Sequence, residues 1–135
     1  MVQDSVEQGG FPQPKRKLRI AIADDDRDTV VTLATLLQQE GHEVLEIYRG
    51  DAVLELVRRY KPDVLLLDIG MPLMSGFEIA RQLRDELRQS CPILIAVTGW
   101  KQAQAKEMGK VLGFYRYLTK PYEPSELLET LAELP

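Results

Sequence analysis

Cysteine, histidine and tryptophan each occur once in these 135 residues, as Cys91, His42 and Trp100. One cysteine excludes a disulfide framework and a paired-cysteine metal or redox site. Cys91 precedes Pro92 and an apolar stretch, so it is expected as a small buried side chain. His42 follows Gly41 and is expected as an exposed turn residue. No apolar run nears the roughly 20 residues that cross a bilayer, and the first residues lack the apolar stretch of a secretory signal. The expectation is a cytoplasmic protein without a membrane span. An excess of positive charge is also missing. Seventeen basic residues against 21 acidic ones give a net charge of −4, which argues against non-specific nucleic-acid binding by this domain.

What is present suits one compact domain. The length allows a real core, and 44% hydrophobic with 28% charged residues is ordinary for a globular chain. Residues 1–17 stand apart. They are rich in Gln, Gly and Pro, end in Lys15-Arg16-Lys17 and show no period, and they read as a disordered tail with a solvated basic flank. From residue 18 to 134 strands and helices alternate. Strands are expected at 18–23, 44–48, 64–67, 93–97 and 115–118. The helix after the first carries Val30, Leu33, Ala34 and Leu37 on one face and stops at Gly41. Val53, Leu56, Val57 and Tyr60 repeat that spacing before Pro62. The third strand, continuously apolar, is expected to be buried on both faces. Ser75-Gly76-Phe77-Glu78 fits a capping box opening a helix to about Arg88. A less apolar helix is expected over 102–112. Pro124 is placed at the first position of a last helix whose Leu127, Leu128, Leu131 and Leu134 face inward.

The chemistry gathers where strands end. Asp24-Asp25-Asp26 follows the first, Asp68 the third, Thr98 the fourth, and Lys120-Pro121 the fifth. Taken singly, each has a bland explanation. The acidic run can cap a helix, where the dipole favours negative charge, and Asp26 is expected to do only that. Thr98 alone reads as a strand-end hydroxyl and Lys120 as a surface lysine. A lone carboxylate such as Asp68, closing an apolar strand onto a loop broken by Gly70, Met71-Pro72 and Gly76, is harder to explain structurally. In that order, the acidic pair, lone Asp, Thr and Lys resemble the receiver domain of two-component response regulators, over residues 18–134.

Five βα units suggest a parallel sheet covered by helices on both sides, and two common strand orders fit. The resemblance implies a doubly wound, flavodoxin-like α/β fold of order 2-1-3-4-5, which brings Asp24, Asp25 and Asp68 into one crevice at the topological switch. Three carboxylates repel unless a cation neutralises them. Oxygen-only ligands suit Mg²⁺, held by Asp25 and Asp68, by waters on Asp24 and by the backbone carbonyl of Gly70. Asp68 would be the nucleophile, giving an aspartyl phosphate, with Lys120 and Thr98 covering the remaining phosphoryl oxygens. The resemblance also makes Thr98 and Tyr117 a switch pair and the bond before Pro121 cis. A single histidine in a turn leaves the phosphodonor to a histidine kinase or a histidine phosphotransfer protein, or to another part of a longer chain.

Further consequences follow from the resemblance. The domain is a signalling phosphoacceptor that promotes its own phosphorylation and dephosphorylation, rather than an enzyme. Its output partner would use the face made by the 102–112 helix, the fifth strand and the last helix, and a homodimer is compatible with it. Gly70 and Trp100, two residues beyond Asp68 and Thr98, flank the path of attacking water and influence phosphoryl lifetime. A free-standing regulator, a piece of a multidomain regulator and a piece of a hybrid kinase all fit. In a different class, a metal-dependent phosphohydrolase with an Asp nucleophile usually carries Asp-x-Asp on the nucleophile strand; here Ile69-Gly70 follow Asp68. A binding-only pseudo-receiver would lack the acidic pair, the acceptor or the lysine, and none is missing.

Overall fold

The computed structural model of the protein describes residues 16–99 and 113–134. The expected tail up to residue 15, Trp100 and the expected helix over 102–112 lie outside the described residues. The elements are β1 (Arg19–Ala23), α1 (Arg27–Gln39), β2 (Glu43–Ile47), α2 (Val53–Tyr60), β3 (Val64–Asp68), α3 (Gly76–Leu87), β4 (Ile93–Thr98), β5 (Arg116–Thr119) and α4 (Pro124–Ala132). Short 3₁₀ turns, Gly50–Ala52 and Arg88–Ser90, lead into α2 and out of α3. The five strands form one parallel sheet of order β2-β1-β3-β4-β5, the order implied above. No described helix is long and apolar enough to cross a membrane.

Alternation along the strands explains why helices cover both faces. Ile20, Ile22, Val64, Leu66, Ile95, Val97 and Leu118 share one buried cluster with Val30, Leu33, Ala34 and Leu37 of α1 and Leu127, Leu128 and Leu131 of α4. Their neighbours Ala21, Ala23, Leu65, Leu67 and Leu94 turn the other way, onto Val53 and Val57 of α2 and Ile79, Ala80 and Leu83 of α3. Every residue of β3 is buried, as its unbroken apolar run predicts. Cys91 is half-buried against the second cluster, and burial pushes its thiol up.

Two local expectations are corrected. His42 is buried, at 5% exposure, and is no surface turn residue. Its Nδ1 accepts the Leu18 N–H at 3.0 Å, and burial holds the ring below the usual histidine range despite the charge of Glu40. Gly41, at φ +97°, turns the chain so that the imidazole reaches back under β1. At α3, Ser75 does cap the helix, accepting from the Phe77 N–H at 3.2 Å. The predicted box does not close, because the Glu78 carboxylate is taken by Arg81 and Gln82 at 2.6 and 2.9 Å. A capping box does close at α4, between Glu123 and Glu126, with Pro124 in the first turn.

Candidate functional site

The register of the parallel strands sets the site. Ala23 lies opposite Leu67, so Asp24 and Asp68 emerge side by side from the carboxyl ends of β1 and β3. Asp68 lies opposite Val97, and Thr98 opposite Thr119, which brings the next residue of each strand to the same rim. The Lys120 N–H donates to the Thr98 carbonyl at 2.8 Å, extending β5 by one bond and fixing where the lysine leaves the sheet. The peptide bond from Lys120 to Pro121 is cis, as expected.

At that rim, oxygen atoms of Asp24, Asp25 and Asp68 lie within 4.8 Å of one another. Asp24 and Asp68 are 3% and 6% exposed, whereas Asp25 is open to solvent. Lys120 Nζ stands 3.1 Å from Asp68 Oδ2 and 3.5 Å from Asp24 Oδ2. Two backbone amides hold the carboxylates in place. Gly70 N–H donates to Asp68 Oδ1 at 2.9 Å, and Asp26 N–H donates to Asp24 Oδ1 at 3.0 Å.

Among the described residues, one ammonium faces the three carboxylates and does not compensate them. Burial, opposed by the Asp26 amide and reinforced by the Asp68 charge, pushes the Asp24 carboxyl up to about 6. Burial alone would lower Lys120, but the hydrogen bond and charge of Asp68, then those of Asp24, carry it above the usual lysine range. Tyr122, half-buried two residues on, is pushed up to about 12 by burial and by the charges of Asp24 and Asp68. A surplus of oxygen donors with unbalanced negative charge fits a hard divalent cation, for which carboxylate, carbonyl and water oxygens are the natural ligands.

The other expected residues fall as follows. Gly70 is exposed, and a side chain there would meet Asp68 Oδ1 at 3.6 Å, an ordinary contact, so its glycine is not forced by space. Thr98 is buried at the end of β4. Tyr117 is half-buried on β5 opposite Ala96, with its ring 5.9 Å from that of Phe114. Asp26 stays outside the carboxylate cluster. It takes the N-cap position of α1, and its carboxylate accepts the Thr29 hydroxyl at 2.9 Å, which lowers its pKa. Sequence reasoning missed Tyr122. Its only signal was adjacency to Lys120-Pro121. With Asp26, Thr29, Thr32, Leu33 and Lys120 it lines a groove of about 630 Å³ opening beside the site.

Comparison with known proteins gives the family and the fold. Residues 20–132 match the family model described as the response regulator receiver domain. Protein PilH of Pseudomonas aeruginosa is 40% identical over 113 residues, covering 84% of this chain and 93% of its own. Transcriptional regulatory protein CreB of Escherichia coli is 37% identical over 106 residues; the match covers 78% of this chain but only 45% of CreB. Among solved structures, a CheY-like response regulator receiver domain protein from Methanospirillum hungatei superposes with a TM-score of 0.80 at 29% identity, covering 87% of this chain and 93% of that one. None of these similarities favours the phosphohydrolase alternative.

Proposed function

The chain belongs to the response regulator receiver domain family of two-component signalling, a family of signalling domains, and from that premise we propose that it accepts a phosphoryl group on Asp68. The donor is the phosphohistidine of a histidine kinase or a histidine phosphotransfer protein. Residues 18–134 are the working unit, and 1–17 an appended tail, in the cytoplasm. The observation that carries the reading is the position of Asp68. It is nearly buried, its Oδ1 is fixed by the Gly70 amide, and its Oδ2 lies 3.1 Å from the Lys120 ammonium within a cluster of three carboxylates.

In the transfer a carboxylate oxygen of Asp68 bonds to phosphorus as the P–N bond to the donor imidazole breaks. The electron pair leaves on the imidazole nitrogen. Little covalent chemistry is then left for the protein; positioning and charge compensation do the rest. The amide of Gly70 orients the nucleophile. The Lys120 ammonium and the Thr98 hydroxyl each take one phosphoryl oxygen. Mg²⁺ held by Asp25, Asp68, the Gly70 carbonyl and waters on Asp24 would neutralise the charge on the third. Hydrolysis of the acyl phosphate by water resets the domain.

Thr98 and Tyr117 then change position together and alter the face that includes β5 and α4, where the output partner binds. The test is chemical. Acetyl phosphate or phosphoramidate with Mg²⁺ adds one phosphoryl group, seen by intact mass and lost in hydroxylamine. Asp68→Asn does not acquire it, because an amide does not attack phosphorus. Equal modification of the Asn variant would refute the assignment.

A further inference from the structure

Phe114 sits between two parts of the molecule that the phosphoacceptor chemistry has to connect. On one side, its ring meets Phe77 edge to face, with centroids 6.4 Å apart and planes at 73°. On the other, it meets Tyr117 with centroids 5.9 Å apart and planes at 43°. Both separations lie in the range where aromatic rings attract one another directionally. Phe114 is half-buried against the core cluster of α2 and α3, and its backbone is held on both flanks. The preceding Gly113 carbonyl accepts from the Arg84 guanidinium of α3 at 2.6 Å. The following Tyr115 N–H donates to the Leu94 carbonyl of β4 at 2.7 Å. Gly113 has φ +80°, a left-handed conformation that favours glycine, and a Cβ there would displace the Arg84 guanidinium from its present position.

Phe77 is seated as tightly. It is the second residue of α3, and the Gly76 N–H before it donates to the Ile69 carbonyl at 3.3 Å. A Cβ on Gly76 would fall 2.6 Å from the Ile69 Cα, so the first turn of α3 rests directly on the residue after Asp68. The contacts therefore run without a gap from Ile69 through Gly76, Phe77 and Phe114 to Tyr117. Close-packed elements transmit displacement rather than absorb it.

We propose that Phe77 and Phe114 form a link between the phosphoacceptor loop and Tyr117, separate from Thr98, with Phe114 as the positioning residue for Tyr117. This rests on the receiver reading above. Movement of the loop when Asp68 is loaded shifts the first turn of α3, and Phe114 passes that shift to the tyrosine ring. Since the arrangement of Tyr117 and occupancy of the site are linked equilibria, a change at Phe114 returns as a change in the affinity of the site for a phosphoryl group.

The test is a double-substitution cycle on the full chain, titrating beryllofluoride in saturating Mg²⁺ by calorimetry. Phe114→Leu keeps an apolar side chain in the core while removing the ring edges. The link predicts that Phe114→Leu changes the apparent Kd by about threefold or more, the size expected of an aromatic pair. In a Tyr117→Ala background the same substitution should change it by less than about 1.5-fold. Mg²⁺ affinity without beryllofluoride should stay within about 1.5-fold of the parent, as a residue acting through Tyr117 requires. A change below about threefold, or one equally large when Tyr117 is alanine, overturns the link. If the unsubstituted chain binds no beryllofluoride, the receiver reading itself has failed; if it binds and the cycle is additive, only the aromatic link has.

Discussion

At the carboxyl end of the sheet the carboxylates of Asp24, Asp25 and Asp68 cluster, Lys120 reaches Asp24 and Asp68, and the deepest of the three, Asp24, is held well above its ordinary pKa. At the amino end, most polar groups meet complementary partners, and only Arg19 Nε and His42 Nε2 among the described buried side-chain atoms have none. Leu18 N–H finds His42 Nδ1 at 3.0 Å, and Arg19 N–H finds Asp63 Oδ2 at 2.8 Å. The Arg19 guanidinium donates to the Tyr60 carbonyl at 2.6 Å and stacks over the Tyr60 ring at 4.2 Å. Both ends belong to the same five strands, so their difference lies in the residues that follow or precede each apolar run. Complementary pairs tie the chain together. Like charges held close lower stability and persist where a ligand makes use of them.

Breaking the amino end should give the largest effect on folding. His42→Ala leaves the buried Leu18 N–H without an acceptor and opens a cavity, at a cost of about 2–3 kcal/mol. Urea unfolding measures this. Phosphorylation by acetyl phosphate below the transition should be unchanged, and a parallel loss of it would show that the two ends are not separable.

At the carboxyl end, Lys120→Ala should leave Mg²⁺ affinity unchanged or up to about tenfold tighter, at most ~1.4 kcal/mol, because a competing cation is removed. The response of Tyr117 to beryllofluoride, followed by NMR, should be lost. Weaker Mg²⁺ binding would place the lysine in the wrong role.

The pH dependence sharpens the contrast further, because the two ends titrate in opposite senses. Asp24 has a folded pKa raised to about 6 from 3.8, so its stabilising contribution is full below 3.8 and is lost as pH rises through about 6. His42 has a folded pKa below 6.5, so its contribution is full above 6.5 and is lost as pH falls. Without Mg²⁺, acidification from about pH 6.5 to about pH 5 should therefore stabilise His42→Gln, by about 1 kcal/mol, and destabilise Asp24→Asn, while the parent changes less. Chemical denaturation at several pH values reads all three, and parallel slopes would refute the opposition.

Much of this contrast was legible in the sequence. Asp24, Asp68, Thr98 and Lys120 each terminate an apolar run, and strand ends align in a parallel sheet, so their convergence needed only the strand order. His42 was misread because its partner, the Leu18 amide, is 24 residues away and nothing local announces it. The box at Ser75 failed because Arg81 and Gln82, one turn downstream, take the Glu78 carboxylate first. The box that does form, Glu123 with Glu126, begins on a glutamate, which is not a usual cap residue. Phe114 carried no signal, since ring contacts with Phe77 and Tyr117 arise only once α3 and β5 are placed.

The central claim is that the carboxyl end holds uncompensated negative charge that a divalent cation relieves. Thermal unfolding of the parent and of Asp24→Asn at about pH 7.5, with EDTA and with saturating Mg²⁺, tests it most directly. Asn keeps the oxygen that accepts the Asp26 amide and removes only the charge. The account predicts that Asp24→Asn is the more stable protein in EDTA, by about 1–3 kcal/mol. Mg²⁺ should then stabilise the parent more than the variant, so that the gap narrows or reverses. An Asn variant less stable than the parent in EDTA, or a gap that Mg²⁺ leaves untouched, would contradict it.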